Sequence, residues 1–215
     1  SDGAWLSVSR IAETGSIMTT RPLDGALLIL GLVVSGAAGF AGDTPALGRQ
    51  EYTEVHMGMP VRITLHAEVE RGRAAARRAF DRIAVLDRMM SDYRPDSELR
   101  RLQERPREWV AVSAELFDVL ARGTAISRAS GGAFDPTIGP VVALWRRARQ
   151  TGRLPDPAQI ERARTLAGWR FLELDPRRSA MRLGKPGMQL DLGGVAKGYI
   201  LQAALVTLRA HGVPR

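Results

Sequence analysis

Between residues 61 and 67 apolar and polar side chains alternate, with Val61, Ile63 and Leu65 on one face of "VRITLHA". A period of two predicts a half-buried strand. From about Glu70 to Tyr93 the period lengthens. Phe80, Ile83, Leu86 (or Asp87) and Met90 recur at helical spacing with arginines on the other face, which predicts one long helix. "RPDSELRRL" then turns at Pro95-Asp96, and Asp96 or Ser97 can cap a short helix running through Leu102. "EWVAV" reads as a brief strand. Ser113 is placed to cap another helix, with Glu115 in its first turn where the helix dipole favours a negative charge. Gly131-Gly132 ends that helix.

Two prolines and a glycine in "AFDPTIGPVVALW" forbid a continuous helix until about Val141. Asp156 followed by Pro157 is a cap with proline at the first helical position, so a helix is expected from Pro157 to about Leu166. "WRFLELDPRRSAMRL" reads as two strands joined at Asp175-Pro176. "MQLDL" reads as a further strand. "GGVAKGYILQAALVTLRAHG" is a helix entered through a glycine-rich turn and stopped by Gly212-Val213-Pro214. Strands and helices mix without a strict strand-helix-strand rhythm, so the expected fold class is α+β, in a single domain of mixed strands and helices.

Composition narrows the picture. A chain of 215 residues, 45% hydrophobic and 25% charged, is globular and large enough to bury a core. The net charge is +8, but the arginines are scattered rather than gathered in one block, so nucleic-acid binding is not expected. Without cysteine, disulfides, thiolate metal sites and cysteine nucleophiles are excluded. From Met18 a basic residue (Arg21) precedes an apolar run, Ala26 to Val34, and small residues around Ala41. That is the layout of a secretory signal peptide over 18–42. The rival reading is a retained anchor, but the 18 uncharged residues from Gly25 to Gly42 barely approach the ~20 needed to span a bilayer. Residues 1–17 read as upstream sequence, and 43–215 as the domain, with a linker from Asp43 to Gln50.

Four stretches are candidates for chemistry. In "DLGGVAKGYI", Asp191 ends a strand, Gly193-Gly194 make the turn, and Lys197 lies one turn into the helix. Glycines there let backbone N–H groups approach an anion at the helix start, and the lysine adds a mobile charge. The spacing is neither a Walker loop nor a full G-x-G-x-x-G, and a plain tight turn with an exposed lysine remains open. Lys197 is one of only two lysines among 31 basic residues. Asp135, within "SGGAFDPTIGPVVALW", is suited either to hydrogen-bond a ligand's base edge or to cap the following helix. Tyr93 is suited to stack on an aromatic ring or to close the edge of the core. In "HMGMP", Gly58 allows close backbone approach and Met57 offers a soft apolar contact. Adjacent residues point in different directions there, which argues against His56, Met57 and Met59 as copper ligands. His56, His66 and His211 have no metal-ligand spacing.

Together, "HMGMPVRITLHA", "LDRMMSDYRPDSELRRLQ", "SGGAFDPTIGPVVALW" and "LDLGGVAKGYILQAA" stand in the order and spacing of the ApbE family. The chain resembles those FAD:protein FMN transferases from about Glu51 to its last residue. The resemblance implies a periplasmic, magnesium-dependent enzyme that splits FAD, attaches FMN to a threonine or serine hydroxyl and releases AMP. Its implied partner is a flavin-acceptor subunit of a membrane redox complex, which would place it peripheral to the inner membrane. Some relatives instead hydrolyse FAD to FMN and AMP, and a non-catalytic FAD-binding protein is a third reading. Motif by motif, the resemblance implies flavin-nucleotide contacts at Met57, Tyr93, Ala133, Phe134, Asp135, Asp191 and Lys197. The family's metal ligand in the glycine turn falls on Gly194, which can offer only its carbonyl. Met59 and Gln103 stand where other residues are common. The family's domain normally continues past Arg215, and its remaining magnesium ligands and catalytic base are expected there, so the chain is expected to be an N-terminal portion of the domain.

Overall fold

Among the described residues the first element is a hairpin. In a computed structural model that describes residues 47–213, β1 (Gly48–His56) pairs antiparallel with β2 (Met59–Ala67), from Gly48 opposite Ala67 to His56 opposite Met59. Met57 and Gly58 form the two-residue turn with φ of 54° and 70°, the mirror-image geometry whose twist matches paired strands. Val61, Ile63, Leu65 and Ala67 are buried, as the alternation in β2 predicts. Strand β1 corrects the sequence reading, which ended a linker at Gln50. Its inward positions carry Gln50, Tyr52, Glu54 and His56, so the strand has no apolar alternation to reveal it. The signal-peptide and upstream segments assigned to 1–42 lie outside the described residues.

Helix α1 (Val69–Met90) lays its apolar face across this hairpin. Glu68 caps it, accepting from the backbone N–H groups of Glu70 and Arg71. Ala75, Ala76, Ala79, Phe80, Ile83, Leu86 and Met90 are buried. The helix stops at Met90, three residues short of the expected Tyr93, because Ser91 takes an extended conformation. Ser97 caps α2 (Glu98–Gln103) and Ser113 caps α3 (Ala114–Ala129), each accepting from the N–H three residues on. Helix α4 (Gly139–Thr151) begins two residues earlier than expected: Pro140 falls in its first turn, where a missing N–H costs nothing. Helix α5 (Pro157–Thr165) carries a capping box between Asp156 and Gln159.

A 3-10 turn, Trp169–Phe171, leads into β4 (Leu172–Asp175) and β5 (Ala180–Leu183). With β3 (Val110–Ala111) they form an antiparallel sheet in the order β3-β5-β4. Residues 188–192, expected as a strand, do not join it. Met188, Leu190 and Leu192 are buried alternately, but the only strand-type pairing is a single parallel bridge from Gln189 to Ile138. The segment is extended because it packs against the core. The N-terminus of α4 occupies the place of a neighbouring strand: Gly139 N–H donates to Gln189 O (3.2 Å) and Asp191 N–H to Pro136 O (2.8 Å). The last helix, α6 (Ala196–Ala210), packs against α1 through Ala196, Ile200, Ala204 and Leu208. The mixed α+β architecture is the one the sequence pattern predicts.

An ion pair between α1 and α3 carries a pH dependence. Arg82 donates to Glu115 at 2.9 Å, and this hydrogen bond, with a backbone one, holds the Glu115 carboxyl below its ordinary range. A lowered folded-state pKa adds stability above the unfolded value, and this is lost as acid protonates the folded carboxylate. Glu115→Gln should therefore flatten the acid limb of a pH-stability curve measured by thermal melting. In the core, Ile83 is fully buried, so Ile83→Ala should lower the unfolding free energy by about 2–5 kcal/mol in urea titration. Arg77→Ala, on the exposed face, should change it by less than about 0.5 kcal/mol.

Candidate functional site

Four chain segments meet at a cavity of about 490 Å³ lined, among others, by Met57, Asp87, Tyr93, Arg146, Asp191 and Lys197. The hairpin tip supplies Met57, the end of α1 and its following turn supply Asp87, Asp92 and Tyr93, α4 supplies Arg146, the segment before the glycine turn supplies Asp191, and the first turn of α6 supplies Lys197. Their meeting follows from packing. Because α6 lies along α1, the beginning of one helix sits near the end of the other.

Each side chain is held in a specific way. Met57 has the left-handed backbone that non-glycine residues seldom adopt, and its N–H donates to Asp87 Oδ2 at 3.0 Å. Asp191 has both oxygens engaged. Oδ1 accepts from Gly193 N–H (2.8 Å), bracing the turn, and Oδ2 from Arg146 Nη2 (2.9 Å). Arg146 also donates through Nη1 to Asp92, and its guanidinium lies 4.3 Å from the centre of the Tyr93 ring. Burial works against its charge, but the Asp92 hydrogen bond and the charges of Asp92 and Asp191 outweigh this and hold its pKa above the ordinary value. The Tyr93 ring is 75% exposed, so its outer face is open to a planar ligand.

Lys197 differs from the arginines around it: among the described residues its ammonium has no hydrogen-bond or ion-pair partner. No side chain caps α6, whose N-cap is Val195. The N–H groups of Gly194, Lys197 and Gly198 donate to no described residue. An uncapped helix start with an unpaired ammonium is an anion-binding arrangement.

Ala133, Phe134 and Asp135 stand apart from this cavity, in the loop between α3 and α4. Phe134 reaches the glycine turn from the other side. A Cβ at Gly194 would fall 2.7 Å from the edge of its ring, so the turn needs glycine for close approach. Ala133 is exposed. The Asp135 carboxylate is a structural anchor, accepting from Thr137 N–H (2.8 Å), Thr137 Oγ1 (2.6 Å) and Trp169 N–H (3.0 Å). His56 stacks on Phe80 at 5.7 Å and pairs with Glu54, which leaves it turned away from Met57 and Met59 as a shared ligand set.

For a magnesium ion the described residues are a poor fit. No three His, Asp or Glu side chains among them converge as ligands. The Gly194 carbonyl accepts no hydrogen bond from a described residue, but it is a single oxygen, and magnesium demands six ligands in near-ideal octahedral geometry.

Sequence reasoning did not find Arg146, Asp92 or the role of Asp87. Arg146 is one of three arginines in α4, and nothing in the pattern separates it from Arg147 and Arg149. Asp87 had a trace: it competes with Leu86 for the apolar face, and the structure buries Leu86 and turns Asp87 to the hairpin tip.

Residues 57–215 match the ApbE family. The chain is 32% identical over 165 residues to the FAD:protein FMN transferase of Klebsiella pneumoniae (strain 342), covering 76% of this chain and 51% of that one. It is 32% identical over 149 residues to the protein of the same name from Treponema pallidum, covering 65% and 40%. Among solved structures, the ApbE protein of Thermotoga maritima superimposes with a TM-score of 0.71 at 26% identity, over 76% of this chain and 53% of that one. The flavinyl transferase ApbE of Pseudomonas stutzeri, in its apo form, gives 0.69 at 26% identity, over 80% and 55%. The chain thus spans about half the length of the relatives it matches.

The anchor role of Asp135 has a measurable consequence. Asp135→Ala removes the acceptor of three hydrogen bonds, two of them from the buried Thr137, and should cost about 1–3 kcal/mol of stability in denaturant unfolding.

Proposed function

The chain belongs to the ApbE family, and on that footing we propose that it supplies the FAD-binding part of an FAD:protein FMN transferase. The observation that carries this reading is the convergence of Met57, Tyr93, Asp191 and Lys197 on one cavity from distant parts of the chain. A dinucleotide needs an apolar or aromatic surface for a ring, and a cation with backbone donors for its pyrophosphate. The cavity offers Met57 and the open face of Tyr93 for the first, and Lys197, whose ammonium and backbone N–H have no partner among the described residues, for the second.

The proposed reaction is phosphoryl transfer, in which positioning and charge neutralisation do most of the work. The hydroxyl oxygen of a threonine or serine on the acceptor forms a bond to the FMN-side phosphorus. The bridging P–O bond breaks and AMP leaves with the electron pair. The hydroxyl proton passes to a base. Within this scheme Lys197 holds the pyrophosphate, Tyr93 holds a ring, and Asp191 keeps the glycine turn in shape while retaining lone pairs for a ligand hydroxyl or N–H. Ala133, Phe134 and Asp135 act from outside the cavity: Phe134 buttresses Gly194, and Asp135 fixes the loop that carries it.

Magnesium enters only through the resemblance, with the Gly194 carbonyl as the one oxygen this chain could contribute. No step is derived through it. The acceptor is proposed to be a subunit of a membrane redox complex. Export to the periplasm is proposed on the apolar run from Ala26 to Val34. Among the described residues no helix is long and apolar enough to cross a membrane.

Two measurements test this reading. Lys197→Ala should weaken FAD binding, read by titration calorimetry, on the order of tenfold to a hundredfold, the range of a charge-assisted hydrogen bond. Unchanged affinity counts against the site. Mass analysis of a candidate acceptor incubated with FAD, magnesium and the protein should show covalent FMN. Free FMN and AMP would indicate a pyrophosphatase instead, and binding without AMP release a non-catalytic flavin-nucleotide binder.

A further inference from the structure

Three carboxylates and three cations line the cavity: Asp87, Asp92 and Asp191 against Arg94, Arg146 and Lys197. The balance is local rather than merely formal. Asp87 faces the hairpin tip, and Arg94 is drawn outward to Asp96 at 3.2 Å. That leaves Asp92 and Asp191 facing the inner cavity, and among the described residues Arg146 is the cation paired with both, one positive charge against two negative ones. Among the described residues its Nε is buried without a partner, and the two carboxylates and the Tyr93 ring hold the guanidinium in place. Lys197, without a carboxylate partner among the described residues, is then the cation left for an incoming anion.

A doubly charged pyrophosphate would meet strong repulsion in such a cavity if the Arg146 charge were lost, because two bare carboxylates would then face it. We infer that Arg146 is a positioning residue that offsets the charge of Asp92 and Asp191, so that the cavity accepts a dinucleotide pyrophosphate beside two aspartates. The inference rests on the flavin-nucleotide reading and extends it to a residue outside the family motifs. Arg146 acts through its neighbours, pinning Asp191 against the glycine turn and backing the Tyr93 ring, while Lys197 meets the ligand.

The sign of a charge effect separates this role from a merely structural one. FAD and riboflavin, which carries no phosphate, serve as probes in calorimetric or fluorescence titrations at low and high salt, with thermal melting to confirm folding. Arg146→Gln should weaken FAD binding at low salt on the order of tenfold or more and weaken riboflavin binding far less, with no salt dependence of the riboflavin loss. Most of that loss should vanish by about 0.5 M salt, where the screening length is only a few ångström. Asp92→Asn added to Arg146→Gln should restore FAD binding. Asp92→Asn alone should tighten FAD binding severalfold at low salt, and this variant keeps the test open if Arg146→Gln does not fold. A loss that strikes FAD and riboflavin alike, ignores salt and is not rescued by Asp92→Asn would overturn the inference and leave the flavin reading standing. So would an Asp92→Asn protein with wild-type FAD affinity. A wild-type chain that binds no FAD at all would overturn both.

Discussion

The contact between α1 and α6 is the constraint on which the rest of the structure depends. The two helices are distant in sequence, and both are buried along one face in the same core. Alanines at 75, 76 and 79 on one helix and at 196 and 204 on the other are small enough to let the axes approach. With α1 fixed across the hairpin, the end of α1 and the hairpin tip come together. With α6 fixed along α1, the glycine turn opens beside them. Most residues of the cavity need no separate placement, because they lie near the ends of elements whose middles are packed; Arg146, in the middle of α4, is the exception and is held by its own ion pairs.

The turn itself is restrained from three sides. Asp191 holds Gly193 from within, Phe134 abuts Gly194 from the neighbouring loop, and Arg146 ties Asp191 to the turn after α1. These restraints are polar or aromatic, and they lie at the edge of the core. A small loop assembled this way can hold uncapped N–H groups at a helix start, an arrangement that would otherwise invite a capping side chain. The absence of such a cap at α6 contrasts with the capped starts of α1, α2, α3 and α5; α4 also lacks a side-chain cap, but there Pro140 removes one of the N–H groups a cap would serve.

Much of this was legible in the residues, and the exceptions have physical causes. Helices with a serine or aspartate cap and a clear apolar stripe were readable to within a few residues, because both signals are local. Strand β1 was not, since its inward face carries Gln50, Tyr52, Glu54 and His56 rather than an apolar row. The segment 188–192 alternates like a strand, yet alternation reports burial of one face and not the presence of a ladder partner, and here a helix end took the partner's place. The four candidate segments were visible as motifs, but the network joining them was not. Arg146 reaches Asp92 across 54 residues and Asp191 across 45, and its identity among neighbouring arginines is set only by the tertiary fold.

The near-exclusion of lysine from this chain gives it an unusual chemical handle. Primary amines on side chains occur at two positions, and one of them, Lys185, sits over the Phe171 ring and against the Thr165 carbonyl. The other stands at the mouth of the cavity. An acylating reagent or an aldehyde, indifferent to guanidinium groups, would find the exposed Lys197 a more accessible target than Lys185, so a reporter group can be tethered at the rim of the cavity without any engineered residue.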